Sequence, residues 1–340
     1  MRKIRIAQIG MNRYSHSGEI FHTLTKYPDL FEIVGYALVE DERETCQKHF
    51  KWLEGYKELT LEEILEDPTI EAVTVETDEI HLTKYALLAA EHGKHIHMEK
   101  PGGVSERDFN RLVDLMQQNG KVFHIGYMYR YNPYIHDVIE SARRGDFGEV
   151  HSVEAHMSRL DPKTTREWFS SFKGGMMFYL GCHLIDLVLQ IKGVPTRILP
   201  LNGTTGKEGV FTEDYGFAVL EYPTGPSFVK MTGAEVGGSR RRQLVVTGER
   251  KTVEIKPLEA GIKGTHWQMT TSRTVWELDD EGHTKTANET SEVFDRYETM
   301  LQAFAAMVRG ERTNPYTYEY EKLLHHTVLL CCGADPETAE

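Results

Sequence analysis

The sequence predicts an α/β chain in two parts: a doubly wound parallel sheet with helices on both faces, then a region dominated by an antiparallel sheet. Three observations predict this. Strand-like and helix-like patterns alternate through the first third of the chain. That alternation breaks near Gly126. Between about Thr196 and Val253 several strand candidates follow one another, with no helix pattern of comparable length between them. The length of 340 residues agrees with two domains, since one domain takes roughly 100–200 residues.

The elements follow in order. Ile4–Ile9 is a short apolar run that stops at Gly10, as a buried strand does, and residues 18–27 read as a helix closed by Pro28. Phe31–Val39 is a second strand, Leu61–Leu65 a short helix, and Ile70–Val75 a third strand. His81–Glu91 is a helix ended by Gly93, and Lys94–Met98 is a strand. Ser105 is placed to cap a helix running to about Gln118, and Lys121–Ile125 closes the series as a strand. Repeated strand–helix units of this size imply a parallel sheet. Beyond it, Pro133–Arg144 is helical, Val150–His156 strand-like, and a helix runs from near Met176 to Gly193. Tyr215–Tyr222, Ser227–Thr232 and Gln243–Val246 are strand candidates, and helices near Val293–Arg309 and Glu319–Cys331 close the chain. The change of pattern divides the chain into residues 1–128 and 129–340.

Composition narrows the function. Lys and Arg number 39 against 52 Asp and Glu, a net charge of −13. That balance disfavours a polyanion partner, so neither nucleic acid nor an anionic membrane is expected. A small anion in a local pocket stays open. No apolar run approaches the roughly 18 residues of a membrane helix. Met1–Arg5 lacks the apolar core of a signal peptide, and Cys46, Cys182, Cys331 and Cys332 show no metal or paired spacing. A reduced, cytoplasmic protein is expected.

The chemistry begins at the first strand–helix turn, Gly10-Met11-Asn12-Arg13-Tyr14-Ser15-His16-Ser17-Gly18. In dinucleotide folds such a turn lets the backbone approach a pyrophosphate. Only the first glycine of G-x-G-x-x-G stands in place, and the loop alone is equally consistent with an ordinary turn. Asn12 tolerates unusual backbone angles, and Arg13, Ser15 and Ser17 are candidates for phosphate contact. Glu40 or Asp41 is placed to take the adenosine ribose, about 30 residues past Gly10. An acid there repels a 2′-phosphate, so NAD is expected over NADP.

Glu99-Lys100-Pro101 follows the strand ending at Met98, where open α/β sheets bind ligands. A lysine there can bond a substrate hydroxyl and cofactor ribose, or relay a proton. Tyr179, His183 and Asp186 are spaced i, i+4, i+7, one face of a helix. His183 is the best acid/base candidate, with Asp186 orienting it or capping a backbone group.

Taken in order, these segments resemble the Gfo/Idh/MocA family of NAD(P)-dependent oxidoreductases. The resemblance rests on Gly10, on His81, and on His92-Gly93-Lys94-His95 running into Glu99-Lys100-Pro101. It rests also on Gly126–Pro133, on Gly174-Gly175, and on Gly181-Cys182-His183-Leu184-Ile185-Asp186. It implies a Rossmann domain and a C-terminal α+β domain with a large open sheet. It further implies a homodimer or homotetramer and a cis bond between Lys100 and Pro101. Site residues carried over are Gly10, Asn12, Arg13, Ser15, Glu40, Thr77, His81, Glu99, Lys100 and Pro101 toward the cofactor. Lys100, His183 and Tyr179 are assigned to catalysis.

Three departures touch this site. Tyr179 stands where the family usually has Asp, and a tyrosine with its ordinary pKa of ~10 needs a nearby cation to act as a base. Leu38 matches the family's ribose acid position, so Glu40 requires a shifted turn. Thr77-Asp78-Glu79-Ile80-His81 is one residue shorter than its family counterpart.

Lys100, Arg130, Arg159, Trp168, Tyr179 and His183 are the candidates to hold a substrate, with Tyr131 and Arg166 nearby in sequence. Trp168 can stack on a sugar face, and arginines can hold hydroxyls or a carboxylate; each also has a structural reading. His95, His97, His151 and His156 lack metal-ligand spacing, and no metal is expected. The function that follows is hydride transfer between a sugar, cyclitol or related polyol and a nicotinamide. Two alternatives stay open. One is glycoside cleavage or isomerisation with tightly bound NAD, and the other is a non-catalytic cofactor- or sugar-binding relative.

Overall fold

The structure is a computed structural model that describes residues 2–265 and 267–334. The first part of the chain runs β1 (Ile4–Ile9), α1 (Ser17–Thr25), β2 (Phe31–Ala37), α2 (Glu42–Thr45), α3 (Leu61–Glu66), β3 (Ala72–Val75), α4 (Leu82–Glu91), β4 (His95–Met98), α5 (Glu106–Gln118) and β5 (Phe123–Ile125). Local chemistry sets these boundaries. Thr60 and Glu63 form a reciprocal capping box at the start of α3. The Ser105 side chain accepts from the Asp108 N–H at 3.2 Å, so the expected cap of α5 is in place. Phe109, Leu112, Val113 and Met116 of α5 are buried at helical spacing. Burying each such side chain is worth about 1.5–3 kcal/mol.

The five strands form one parallel sheet, ordered β2-β1-β3-β4-β5. Every residue of β3 and β5 is buried, as a sheet covered on both faces requires. The chain leaves β1 toward β2 and continues on the other side at β3. That reversal opens a crevice at the carboxyl ends of β1 and β3. Gly10 and the Glu76–Thr77 segment stand there.

The second part begins with α6 (Pro133–Arg143), capped by Asn132, whose side chain accepts from the N–H groups of Tyr134 and Ile135. It continues with β6 (Val150–His156), α7 (Lys163–Trp168), α8 (Cys182–Lys192), β7 (Arg197–Pro200), β8 (Tyr215–Glu221), β9 (Ser227–Thr232), β10 (Gln243–Gly248), β11 (Lys251–Ile255), β12 (Ala260–Gly261), β13 (Gln268–Thr270), β14 (Ser272–Leu278), β15 (Thr284–Thr290) and β16 (Phe294–Asp295). Eight strands form a sheet ordered β15-β14-β11-β10-β6-β9-β8-β7, and β12, β13 and β16 form a small one. The large sheet is antiparallel except where β6 pairs with β9. In β8 buried and half-buried residues alternate, the mark of a sheet with one covered face. The covering element is α8, which packs on β6 and is buried from Cys182 to Leu189.

α9 (Glu298–Val308) and α10 (Tyr318–Cys331) close the described chain. α9 starts later than the apolar pattern near Val293 suggests, because Phe294 and Asp295 pair with β13. By compactness the chain divides into two units. Residues up to Gly126 join Tyr297–His325, and Tyr127–Arg296 join the described residues from His326 to Ala334. Residues 297–325, which the change of pattern groups with the second part, thus belong with the first. Asn314 and Tyr318 tie this segment to its unit through the carbonyls of Phe123 and Lys121, at 2.9 and 2.6 Å.

Candidate functional site

The first unit gathers its candidates at the strand ends of the crevice. Gly10 has φ of 89°, and a Cβ there would lie 2.8 Å from the Thr77 backbone nitrogen, so only glycine permits the close approach. Asn12 fastens the loop: its Oδ1 accepts from the Tyr14 and Ser15 N–H groups at 2.7 and 3.2 Å. Its Nδ2 donates to the Thr77 carbonyl and to Glu79 at 3.1 and 2.8 Å. The side chain of Asn12 therefore shapes the loop from within, while half-buried Arg13 lies 5.1 Å over the Tyr14 ring. Ser15 Oγ is buried with no hydrogen-bond partner among the described residues. Helix α1 starts two residues later, and its first-turn N–H groups lack partners within the helix. A glycine cradle, an orphaned hydroxyl and a helix start together fit a dinucleotide phosphate.

Glu40 has left-handed backbone geometry, φ 51°, which supplies the shifted turn its role requires. It accepts from Lys84 Nζ at 2.6 Å and the Tyr85 hydroxyl at 2.8 Å, and His81 lies 3.8 Å away. Hydrogen bonds from Lys84 and Tyr85 hold its carboxyl below the usual range.

Lys100 is buried at the end of β4, its Nζ 3.3 Å from Glu99, and the Lys100–Pro101 bond is cis. Gly103, φ 104°, has no room for a side chain against Thr83. Around Lys100 stand acids that sequence reasoning passed over. Glu76 is fully buried, neither carboxyl oxygen has a hydrogen-bond partner, and burial pushes its pKa well up, aided by Glu99. Glu79 rises to about 8 through burial, against the pull of Lys100. The acidic run Glu76-Thr77-Asp78-Glu79 was the available signal.

The second unit assembles a different chemistry. The expected Tyr179–His183–Asp186 face is rearranged, because Met177–Gly181 forms a π-helical turn ahead of α8. Its wider turn takes Tyr179 out of regular i, i+4 register with His183, which stays on α8 with Asp186. Asp186 is bound from another element of the unit. Arg130 takes its carboxylate with two bonds, at 3.0 and 2.9 Å, and Gln190 adds a third at 3.0 Å. Arg130 and Asp186 are both buried, so their pair anchors α8. His183 packs edge-on against the rings of Tyr127 and Tyr129, 5.7 and 5.5 Å between centroids. Tyr179 packs edge-on against Trp168 at 5.2 Å, and Arg159 Nη1 reaches its hydroxyl at 3.3 Å. Arg159 thus places a cation beside Tyr179 within its own unit.

Arg242, Glu259 and Arg296 were not foreseen. Arg242 and Arg296 both pair with the Glu259 carboxylate, to which the Tyr129 hydroxyl donates at 3.1 Å. Despite burial, Arg296 and Arg242 hold Glu259 below the usual carboxylate range. Only the basic run Arg240-Arg241-Arg242 hinted at this cluster. Arg166 is bound to the Lys207 carbonyl, Glu208 and Asp214.

The histidines that invited a metal reading are occupied in other ways. His97 shares a 2.7 Å hydrogen bond with His124, and His95 accepts from the Val122 N–H at 3.0 Å. His156 meets Ser158 and Glu235 at 2.8 and 3.1 Å, and His151 is exposed. Among the described residues no three His, Cys, Asp or Glu side chains are grouped to hold a metal, and no helix is long and apolar enough to cross a membrane.

Comparison with known proteins agrees with this architecture. Residues 4–127 match the model of the oxidoreductase family with an NAD-binding Rossmann fold, and residues 135–254 match the GFO/IDH/MocA C-terminal domain. The NADP-dependent scyllo-inositol 2-dehydrogenase of Bacillus subtilis is 25% identical over 65% of this chain and 61% of its own. The NAD-dependent scyllo-inositol 2-dehydrogenase of the same organism is 27% identical over 45% of this chain and 44% of its own. The chain spans less than two thirds of the length of the first curated relatives it matches. An aldose-aldose oxidoreductase from Caulobacter crescentus superposes with a TM-score of 0.77 at 18% identity, covering 99% of this chain and 98% of that one, a likeness of fold.

Proposed function

Because the chain belongs to the Gfo/Idh/MocA family of oxidoreductases, we propose that it is a dehydrogenase of a sugar, cyclitol or related polyol that prefers NAD to NADP. The observation that carries this reading is Lys100, a buried cation at the carboxyl end of β4 in the sheet whose β1–β3 crevice has the features of a dinucleotide site. Gly10, Ser15 and the start of α1 would hold the pyrophosphate, and Glu40 the ribose. A bound nicotinamide supplies the acceptor for the hydride leaving the substrate carbon. Lys100 polarises the reacting hydroxyl, and His183 accepts its proton. Tyr179, with Arg159 stabilising its phenolate, relays that proton outward. Trp168 lends an aromatic face to the sugar.

The test is a polyol panel with NAD, followed by absorbance of NADH, on the wild type and on Lys100→Ala. Substrate-dependent NADH from the wild type, lost in the variant, is the expected result. Undiminished turnover in Lys100→Ala refutes the assignment. A second reading, transient oxidation by retained cofactor, is favoured by tyrosine at position 179. It requires turnover with no net NADH, so the same assay separates the two.

A further inference from the structure

One buried acid of the first unit is tied to the loop at the phosphate end of the crevice. Glu79 is fully buried, and its Oε2 accepts from Asn12 Nδ2 at 2.8 Å. The other end of the same amide, Asn12 Oδ1, accepts from the N–H groups of Tyr14 and Ser15 at 2.7 and 3.2 Å. A carboxyl, an amide and two loop N–H groups thus form one hydrogen-bonded chain, running from the segment after β3 to the turn before α1. Asn12 Nδ2 has a second acceptor in the Thr77 carbonyl at 3.1 Å. Glu79 Oε1 is buried with no hydrogen-bond partner among the described residues. That arrangement suits a neutral carboxyl better than an anion, which needs several donors when buried. Lys100 favours the anion, whereas Asp78, Glu99 and Glu76 oppose it. Burial decides the balance, and Glu79 titrates at about 8.

We propose that Glu79 is a positioning residue for the dinucleotide: as a neutral acid it holds Asn12 and the phosphate loop in place, and as an anion it repels the pyrophosphate, so the cofactor binds to the form with Glu79 protonated. This rests on the dinucleotide reading of the turn from Gly10 to Gly18. A pyrophosphate brings negative charge to the loop, and a buried carboxylate one side chain away is poorly screened from it. Linkage then works both ways: a bound pyrophosphate raises the affinity of Glu79 for its proton, and ionisation of Glu79 weakens pyrophosphate binding by the same factor. Each unit of difference between the free and bound pKa corresponds to about a tenfold change in affinity.

The experiment follows binding of NADH and of adenosine diphosphate ribose to the full chain by calorimetry between pH 6.5 and pH 9. Glu79→Gln keeps an acceptor for Asn12 and stays neutral, so it should match the wild type at pH 6.5. Relative to this variant, the wild-type Kd for both probes should rise about 5–10-fold by pH 9. Glu42 stands in the same crevice, accepts from the Val39 N–H at 2.8 Å and titrates at about 7. Its share of the pH profile is common to the two proteins and cancels in their difference. Glu79→Leu, confirmed folded by circular dichroism, removes the acceptor and should weaken both probes about 3–10-fold at pH 6.5. An equal rise in the wild type and Glu79→Gln overturns the proposal, as does an unchanged Kd in Glu79→Leu at pH 6.5. The two readings fail separately. NADH binding that ignores both substitutions removes the role of Glu79 and keeps the dinucleotide site, whereas binding of neither probe by the wild type removes both.

Discussion

The two units bury opposite charges, and they neutralise them differently. At the strand ends of the first unit, Glu76, Glu79 and Glu99 surround Lys100. In the second, Arg159, Arg242 and Arg296 surround Glu259 and Asp161. Buried carboxyls can escape their charge by holding a proton, as Glu79 does with a pKa of about 8. Guanidinium groups have no such escape and must find anions. The first site is therefore built to respond to pH, and the second holds its charges in buried pairs. The net charge of −13 describes neither.

The largest expected effect strikes Lys100, the cation among these acids. Lys100→Ala should lower kcat/KM by about 10²–10⁴-fold, the range for a lost acid/base group, with the unfolding midpoint held within a few degrees. A loss confined to KM would make Lys100 a binding residue and weaken the contrast between the units. Next comes Arg130→Ala in the second unit. It takes from Asp186 the two-bond guanidinium partner of its buried charge. Breaking a buried pair this way costs about 3–5 kcal/mol, which urea unfolding will read directly. A change below about 1 kcal/mol would mean that this buried pair does little to hold α8 in place.

Sequence reasoning reached most of this architecture because its signals are local. The parallel strands are short apolar runs, and the caps at Ser105 and Asn132 announce themselves by residue type. Lys100, His183 and Gly10 sit in motifs readable along the chain. What stayed hidden is set by distant residues. Asp186 looked like a partner for His183 because both share a helix, yet its partner Arg130 lies 56 residues away. Glu259 meets Tyr129 across 130 residues, and no spacing rule connects them. The π-helical turn at Met177–Gly181 likewise has no periodic signature, and it undid an i, i+4, i+7 argument that was sound for a regular helix.

A smaller effect follows from the protonated acids. The sign comes from the two pKa values of Glu79, about 8 when folded and near 4.5 for an ordinary glutamate. Between those values the folded protein holds a proton that the unfolded chain has released, so stability falls as pH rises through the window and levels off above it. Glu79→Gln removes this contribution. Its melting temperature should therefore fall less between pH 5.5 and 8.5 than that of the wild type. Equal slopes would mean that Glu79 is ionised throughout, and the first unit would lose its claim to respond to pH.

The smallest expected effect concerns Glu40, an acid of the first unit that stays ionised. Lys84 and Tyr85 keep it charged, and its charge is what would repel a 2′-phosphate. Glu40→Ala frees Lys84 to meet that phosphate. The ratio of kcat/KM for NAD over NADP should fall by about tenfold, the worth of one charged hydrogen bond. Lys84→Ala provides the opposing arm: it removes the cation, leaves the carboxylate, and should hold or raise the preference for NAD. If the two variants shift the ratio in the same direction, the pair acts as a structural clamp at the end of β2, and cofactor choice must be set elsewhere in the crevice.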